Sequence, residues 1–285
     1  MNSEQVDAYL RRLGVERSAW PAAPGGAPSA TTGVLRDLHL RHLQTVPFEN
    51  LSVHLGEEIV LEEKRLLDKV VGARRGGLCY ELNGAFGLLL TALGFDVTLL
   101  AARVYGEEGR LGIPYDHVAL RVRTVDGSDW LADVGFGAHS HLPLAFGARG
   151  EQEDPAGTFW IVEAGPDEAA GVRAVGAADL DVFMDGRAEY RLEVRPRGLG
   201  DFVVGAWWHS TSPRSHFTRS LVCSRVTEDG GRITLSGRRF KVTGSDGTRK
   251  ERGLETDEEV LEVYRERFGV ELDRVPVVRS ADRSG

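Results

Sequence analysis

The amino-acid sequence predicts an α+β protein in three parts: a helical stretch over residues 1–94, a β stretch over 95–200 and a mixed α/β tail over 201–285. Up to Gly94 the apolar residues recur at the spacings of one helix face. From Phe95 they fall into short alternating runs with turn residues between them. Beyond residue 200 both patterns occur. A chain of 285 residues is long enough for two or three packed units with sizeable cores.

In chain order, a first helix is expected from Ser3, a candidate N-cap, through Val6, Tyr9 and Leu10 to a stop at Gly14. Residues 22–33, rich in Ala, Gly and Pro, read as a loop. Helical spacing resumes at Val34 and ends at Pro47, which cannot continue a helix. Residues 62–72 give a third, shorter helix. In the next one Leu82, Phe86, Leu89 and Leu93 form one apolar stripe, with Gly94 suited to the position after the C-cap. Strands are expected over 96–104, 117–125, 129–136, 158–164 and 188–194, with turns at Asp126-Gly127 and Asp185-Gly186. Such short, regularly spaced strands suit an antiparallel barrel or sandwich. The tail offers strands over 219–227, 231–237 and 238–244. It then gives a helix from a capping box, Thr256 with Glu259, to a stop at Gly269.

Hydrophobic residues make up 41% and charged residues 27%, an ordinary balance for a globular protein. The net charge of −8 argues against a nucleic-acid partner, while leaving room for a local basic pocket. The first 15 residues lack the basic and apolar regions of a signal peptide, and runs such as 88–93 are too short to cross a bilayer. Two cysteines, Cys79 and Cys223, make neither a disulfide framework nor a zinc-ligand spacing. No membrane partner and a cytoplasmic, reducing setting are therefore expected.

Cys79 follows Gly76 and Gly77 and heads a helix among Arg74, Arg75, Glu81 and Asn83. Helix N-termini and neighbouring cations lower a cysteine pKa from about 8.5 to roughly 3.5–7.5. The two glycines would let backbone approach the sulfur, with amides available to an oxyanion. Cys223, in phase with Leu221 on a strand, reads as core. A thiolate nucleophile needs a base, and the base an orienting acceptor. Of eight histidines, His39, His42 and His54 read as surface or satisfied core residues. His139 and His141 have no third metal ligand nearby, and His209 and His216 flank a Ser/Thr-rich loop read over 207–217.

His117 opens a strand, and Asp133 lies near the end of the next. A two-residue Asp126-Gly127 turn would set Asp133 opposite Leu120, on the other face from His117. A three-residue loop with left-handed Gly127 would set Asp133 opposite Ala119, with His117 its same-face diagonal neighbour. Spacing does not say whether Cys79 reaches His117. Gly135 and Gly137 suit a barrel corner better than a phosphate loop.

Residues 74–86, 46–53, 115–120, 130–137 and 210–217, in this order, resemble the arylamine N-acetyltransferase family along nearly the whole chain. The resemblance implies an N-terminal helical bundle, a central antiparallel β-barrel and a C-terminal α/β lid, with a cysteine-protease-like triad at their junction. It implies Cys79 as nucleophile, His117 as base and Asp133 as orienter, with Arg75, Glu81, Asn83, Glu49 and Asn50 as buttresses. The implied acyl donor is acetyl-CoA, held near Gly135, Phe136, Gly137, Thr211, Ser212 and Ser215; no metal is implied. The acceptor, an aromatic amine or hydrazine, would meet Phe48, Val104, Phe136 and Phe217. Ala206 and Ser212 depart from the family pattern, beside the expected cofactor contacts. The same triad would also serve an amide synthase closing a macrolactam from a carrier-protein thioester, or a thiol hydrolase. An inactive ligand-binding relative is the reading from another class.

Overall fold

A computed structural model describes residues 1–20, 30–165 and 179–278. Most of the 22–33 loop expectation therefore lies outside the described residues. Helix α1 (Ser3–Leu13) is capped by Asn2 rather than Ser3. The Asn2 side chain accepts from the Gln5 amide while the Gln5 side chain accepts from the Asn2 amide, a box that Ser3 is one residue too late to form. Helix α2 spans Thr32–Thr45, strand β1 Phe48–Glu49, α3 Leu51–Leu55 and α4 Glu63–Leu67, the last running on as a π turn to Gly72. Helix α5 (Cys79–Ala92) is followed by Gly94 at φ +91°, the left-handed exit its sequence predicts.

Eight strands follow: β2 Asp96–Val104, β3 His117–Arg123, β4 Asp129–Ala132, β5 Leu144–Ala145, β6 Gln152–Asp154, β7 Gly157–Glu163, β8 Leu180–Met184 and β9 Arg187–Arg197. They form one antiparallel sheet in the order β5-β4-β3-β2-β9-β8-β7-β6. Side chains bring its two edges together. The Gln152 amide bonds both the N–H and the carbonyl of Ala145, at 2.6 and 3.2 Å, and Asp154 accepts from the amides of His141 and Leu142. The sheet is thereby a nearly closed barrel. Val118, Leu120 and Val122 face the helices and share one core with Leu35, Leu38, Leu82, Phe86 and Leu89. Leu100, Ala119, Phe159, Ile161, Val182 and Tyr190 fill the barrel.

The β3–β4 register settles the hairpin. Leu120 pairs with Ala132 and Arg123 with Asp129, Thr124 N–H donates to Ser128 O at 3.0 Å, and Gly127 sits at φ +83°. This is the three-residue loop, and it sets Asp133 one position beyond the last pair, opposite Ala119.

The expectation of a loop over 207–217 is overturned. Residues 203–211 form helix α6 (Val203–Thr211), and His216–Arg219 form α7. Trp207, Trp208, Ser210 and Thr211 are poor helix formers, but Gly205, Ala206 and His209 give α6 a buried face, and that burial outweighs propensity. Strands β10 (Cys223–Val226), β11 (Arg232–Ser236), β12 (Arg239–Thr243) and β13 (Arg249–Gly253) complete a second sheet whose first strand is β1. Strand β13 has no apolar side chain at all, a charged edge that periodicity cannot reveal. Helix α8 (Asp257–Val263) carries the expected box: Glu259 N–H donates to Thr256 Oγ1 at 3.2 Å.

Candidate active site

The N-terminus of α5 is fixed by its own sequence. Glu81 reaches back to accept from the Leu78 amide at 3.0 Å, and Lys69 Nζ grips the other Glu81 oxygen at 2.6 Å. The Cys79 sulfur thus sits in the first turn, where helix N–H groups lack intrahelical acceptors. Close packing requires glycine at both Gly76 and Gly77. A Cβ on Gly76 would lie 1.8 Å from Pro47 O, and one on Gly77 2.4 Å from Glu81 Oε2, so both serve the packing of the loop. Arg75 is buried against Glu49, its Nη2 2.9 Å from Oε1, while the second Glu49 oxygen accepts from Leu51 N–H. Burial would raise the Glu49 pKa, but Arg75 and Lys69 hold it below its ordinary value. Arg75→Ala is expected to cost about 3–5 kcal/mol in urea unfolding, because it strands that carboxylate.

His117 Nε2 lies 2.7 Å from Asp133 Oδ2, both side chains almost fully buried. With Nε2 so occupied, Nδ1 is the nitrogen left for Cys79, whose charge also acts on the ring. Burial alone would lower the His117 pKa. The charges of Asp133 and Cys79, with the hydrogen bond to Asp133, overcome it and raise the value to about 10. Asp133 is likewise opposed by burial, yet His117 leads the groups that hold it far below the carboxylate range. Its second oxygen accepts from Asn83 Nδ2 at 2.8 Å and from Gly135 N–H at 3.0 Å. Asn83 also donates to Val118 O and accepts from Val134 N–H, which ties α5 to β3 and to the loop after β4.

Sequence reasoning missed two supports. His39 accepts from the Asp133 amide at 3.1 Å and donates Nδ1–H to His141 O at 2.9 Å, which fixes its neutral tautomer. The Tyr190 ring lies 5.3 Å from His117 and 5.4 Å from His139. Only the pairing of strands far apart in sequence places Tyr190 there, so no local pattern marks it.

Residues 135–137 run along the dyad. A Cβ on Gly135 would meet the Cys79 Cα at 2.7 Å. Phe136 packs edge-on to His117 at 5.2 Å, and Gly137, at φ +95°, abuts Phe48. Gly135→Ala is therefore expected to push Cys79 off His117 and slow its alkylation by iodoacetamide by about a hundredfold. Phe48 and Phe217 are ring neighbours at 5.8 Å. Val104, at the end of β2, donates its amide to Asp116 at 3.1 Å. Thr211 lies exposed at the end of α6 with its hydroxyl on Trp207 O, and Ser212 Oγ accepts from Arg214 N–H. Ser215 is fully buried as the cap of α7, bonded to Phe217 N–H and His209.

Among the described residues no group of three or more His, Cys, Asp or Glu side chains could hold a metal ion. His139 is buried beside Tyr190 and Phe159, and its pKa falls to about 4, chiefly through burial. His141 donates its amide to Asp154. Cys223 is fully buried in β10, and burial pushes its thiol well above the ordinary value. Iodoacetamide at neutral pH is expected to modify Cys79 and leave Cys223 free, as read by peptide mass mapping of the native protein.

A thiol at a helix N-terminus beside a buried histidine–aspartate pair is an arrangement suited to acyl chemistry at sulfur. The sequence model of the N-acetyltransferase family matches residues 31–277. The chain is 32% identical over 249 residues to an arylamine N-acetyltransferase of Escherichia coli (strain K12), covering 87% of this chain and 85% of the relative. Identity is 33% over 273 residues with one from Mycolicibacterium smegmatis, covering 94% and 92%. Among solved structures, that of the Salmonella typhimurium arylamine N-acetyltransferase superposes with a TM-score of 0.81 at 30% identity, over 100% of this chain and 95% of that one. The Mycobacterium marinum enzyme in complex with CoA gives 0.78 at 29%, over 93% and 92%. The chain belongs to the arylamine N-acetyltransferase family.

Proposed function

We propose that this protein transfers the acetyl group of acetyl-CoA to an aromatic amine or hydrazine, with Cys79 as nucleophile, His117 as acid and base and Asp133 as orienter. The observation that carries the reading is the buried 2.7 Å bond from His117 Nε2 to Asp133, which leaves Nδ1 for Cys79. The relatives' printed names supply the amine and, in one neighbour, the CoA.

The Cys79 thiolate attacks the thioester carbonyl, and the carbonyl oxygen gains charge within reach of the first-turn amides of α5. The carbon–sulfur bond to CoA breaks, and the departing thiolate takes the His117 proton. One thioester replaces another, so the step needs little driving force. An amine then attacks acetyl-Cys79, its proton passes to His117, and Cys79 leaves as thiolate. Aromatic amines suit this because their low basicity keeps the nitrogen unprotonated at neutral pH. Phe48, Val104, Phe136 and Phe217 would line the acceptor side. Gly135, Phe136, Gly137, Thr211 and Ser212 would flank the donor, with Ser215 acting from beneath as a cap. A cytoplasmic setting is part of this proposal; among the described residues no helix is long and apolar enough to cross a membrane.

Intact-protein mass after mixing with acetyl-CoA, with and without anisidine, tests the reading. A single acetyl group that maps to Cys79 and is cleared by the amine is expected. No adduct on a Cys79 that still alkylates would overturn it in favour of a carrier-bound acyl donor, and an adduct lost equally fast without amine would favour a hydrolase.

A further inference from the structure

A second histidine–carboxylate pair lies beside the first. His209 Nε2, on α6, is 2.8 Å from Asp116 Oδ1, and Asp116 immediately precedes His117. The other Asp116 oxygen accepts from Val104 N–H at 3.1 Å. His209 Nδ1 is 3.2 Å from Ser215 Oγ, which in turn accepts from Phe217 N–H. A continuous hydrogen-bonded chain thus runs from the cap of α7, through α6, to the residue before His117 and on to β2.

The backbone at that junction is under strain. Tyr115 holds φ +57°, a left-handed conformation costly for a residue with a bulky side chain. Its carbonyl and that of Asp116 both accept from the Tyr80 hydroxyl, at 2.8 and 3.0 Å, and Tyr80 immediately follows Cys79. Phe202 packs edge-on to the Tyr115 ring at 5.6 Å, and the Arg197 guanidinium lies over it at 5.1 Å. Helix α6 closes in so tightly that a Cβ on Gly205 would come within 2.3 Å of Tyr115 O. On the far side His209 meets the Phe217 ring at 5.1 Å.

We propose that His209 and Asp116 are positioning residues: through them the lid helix α6 sets the alignment of His117 on Cys79 and the place of the Phe217 wall. Neither touches the reacting atoms. The Tyr80 hydroxyl links the residue after the nucleophile to the residue before the base, and His209 locks that link from the lid. Without the lock the strained Tyr115 can relax, and His117, the next residue but one, moves with it. Displacements of about 1 Å in such a pair cost up to about a hundredfold in rate.

This inference rests on the proposed roles of Cys79 and His117, so the test reads those first. Wild-type protein that neither alkylates nor takes an acetyl group at Cys79 would sink the function itself. Given a reactive wild type, His209→Phe keeps a ring of similar shape and removes both nitrogens. It is expected to slow alkylation of Cys79 by iodoacetamide, and its acetylation by acetyl-CoA, by about tenfold or more. His209→Gln, which returns a donor near the Nε2 position, is expected to recover most of both rates. A merely structural histidine would shift the melting temperature and leave the alkylation rate of the folded protein unchanged. Asp116→Asn turns an amide donor towards either Val104 N–H or His209, so it should slow both reactions as His209→Phe does. The double variant should be no slower than the worse single one. Wild-type rates in His209→Phe would overturn the inference. If that variant does not fold, wild-type rates in Asp116→Asn would do so equally.

Discussion

Cys79→Ala is expected to yield a folded protein with acetyl transfer reduced by about 10⁴-fold or more and no acetyl adduct by intact mass. In the proposed mechanism the sulfur forms and breaks the only covalent bonds between enzyme and acyl group, so nothing else on the chain can take over its step. The fold has little reason to suffer. The helix start is held by Glu81 on the Leu78 amide and by Lys69 on Glu81, and none of these contacts passes through the sulfur. Cys79→Ser would keep the shape and lose nearly as much, since a hydroxyl facing an imidazolium is not ionised at neutral pH. Near-normal turnover of anisidine by Cys79→Ala, measured with acetyl-CoA saturating, would sink the mechanism.

Asp133→Asn is expected to lower acetyl transfer by about 10³–10⁴-fold, and the hydrogen bonds say why. Asp133 Oδ1 accepts from Asn83 Nδ2 and Gly135 N–H. An asparagine must keep its carbonyl oxygen on those two donors, so its NH₂ faces His117 Nε2. The ring then has to accept at Nε2 and carry its proton on Nδ1, towards Cys79, where a proton acceptor is needed. The same substitution has a signature in stability. The folded His117 pKa is raised from 6.5 to about 10, so the pair stabilises the fold fully below about pH 6.5 and loses that contribution as pH rises towards 10. Asp133 is depressed, so its contribution is present above about pH 4 and is lost as pH falls further. The stability gap between wild type and Asp133→Asn should therefore be widest between about pH 4 and 6.5 and narrow towards pH 10. A gap independent of pH would show that the pair is not charged in the folded protein.

How much of this was legible in the sequence follows the range of the interactions. The Cys79 helix, its Gly94 exit and the Thr256–Glu259 box lie within a few residues of the groups that determine them, and each is found where its pattern puts it. The Asp133–His117 contact was legible only as a condition on one turn. The left-handed Gly127 selects the three-residue loop, and a loop one residue shorter would have turned Asp133 to the opposite face. Helix α6 was misread because its helical face is Gly205, Ala206 and His209, too small and polar to register as an apolar stripe. Its partners are Tyr80, Tyr115 and Asp116, about ninety residues or more away.

The sequence by itself determined the order of helical, β and mixed segments, the thiol at a helix N-terminus and the motifs that mark the family. These depend on backbone propensity and on spacings of three or four residues. Only the tertiary structure decided that His117 bonds Asp133, that His39, Asn83 and Tyr190 surround the pair, and that His209 ties α6 to Asp116. Each of those contacts joins elements distant in the chain. A hydrogen bond across such a distance exists only once the barrel has closed and α5 and α6 have packed against it, and residue spacing holds no record of that geometry.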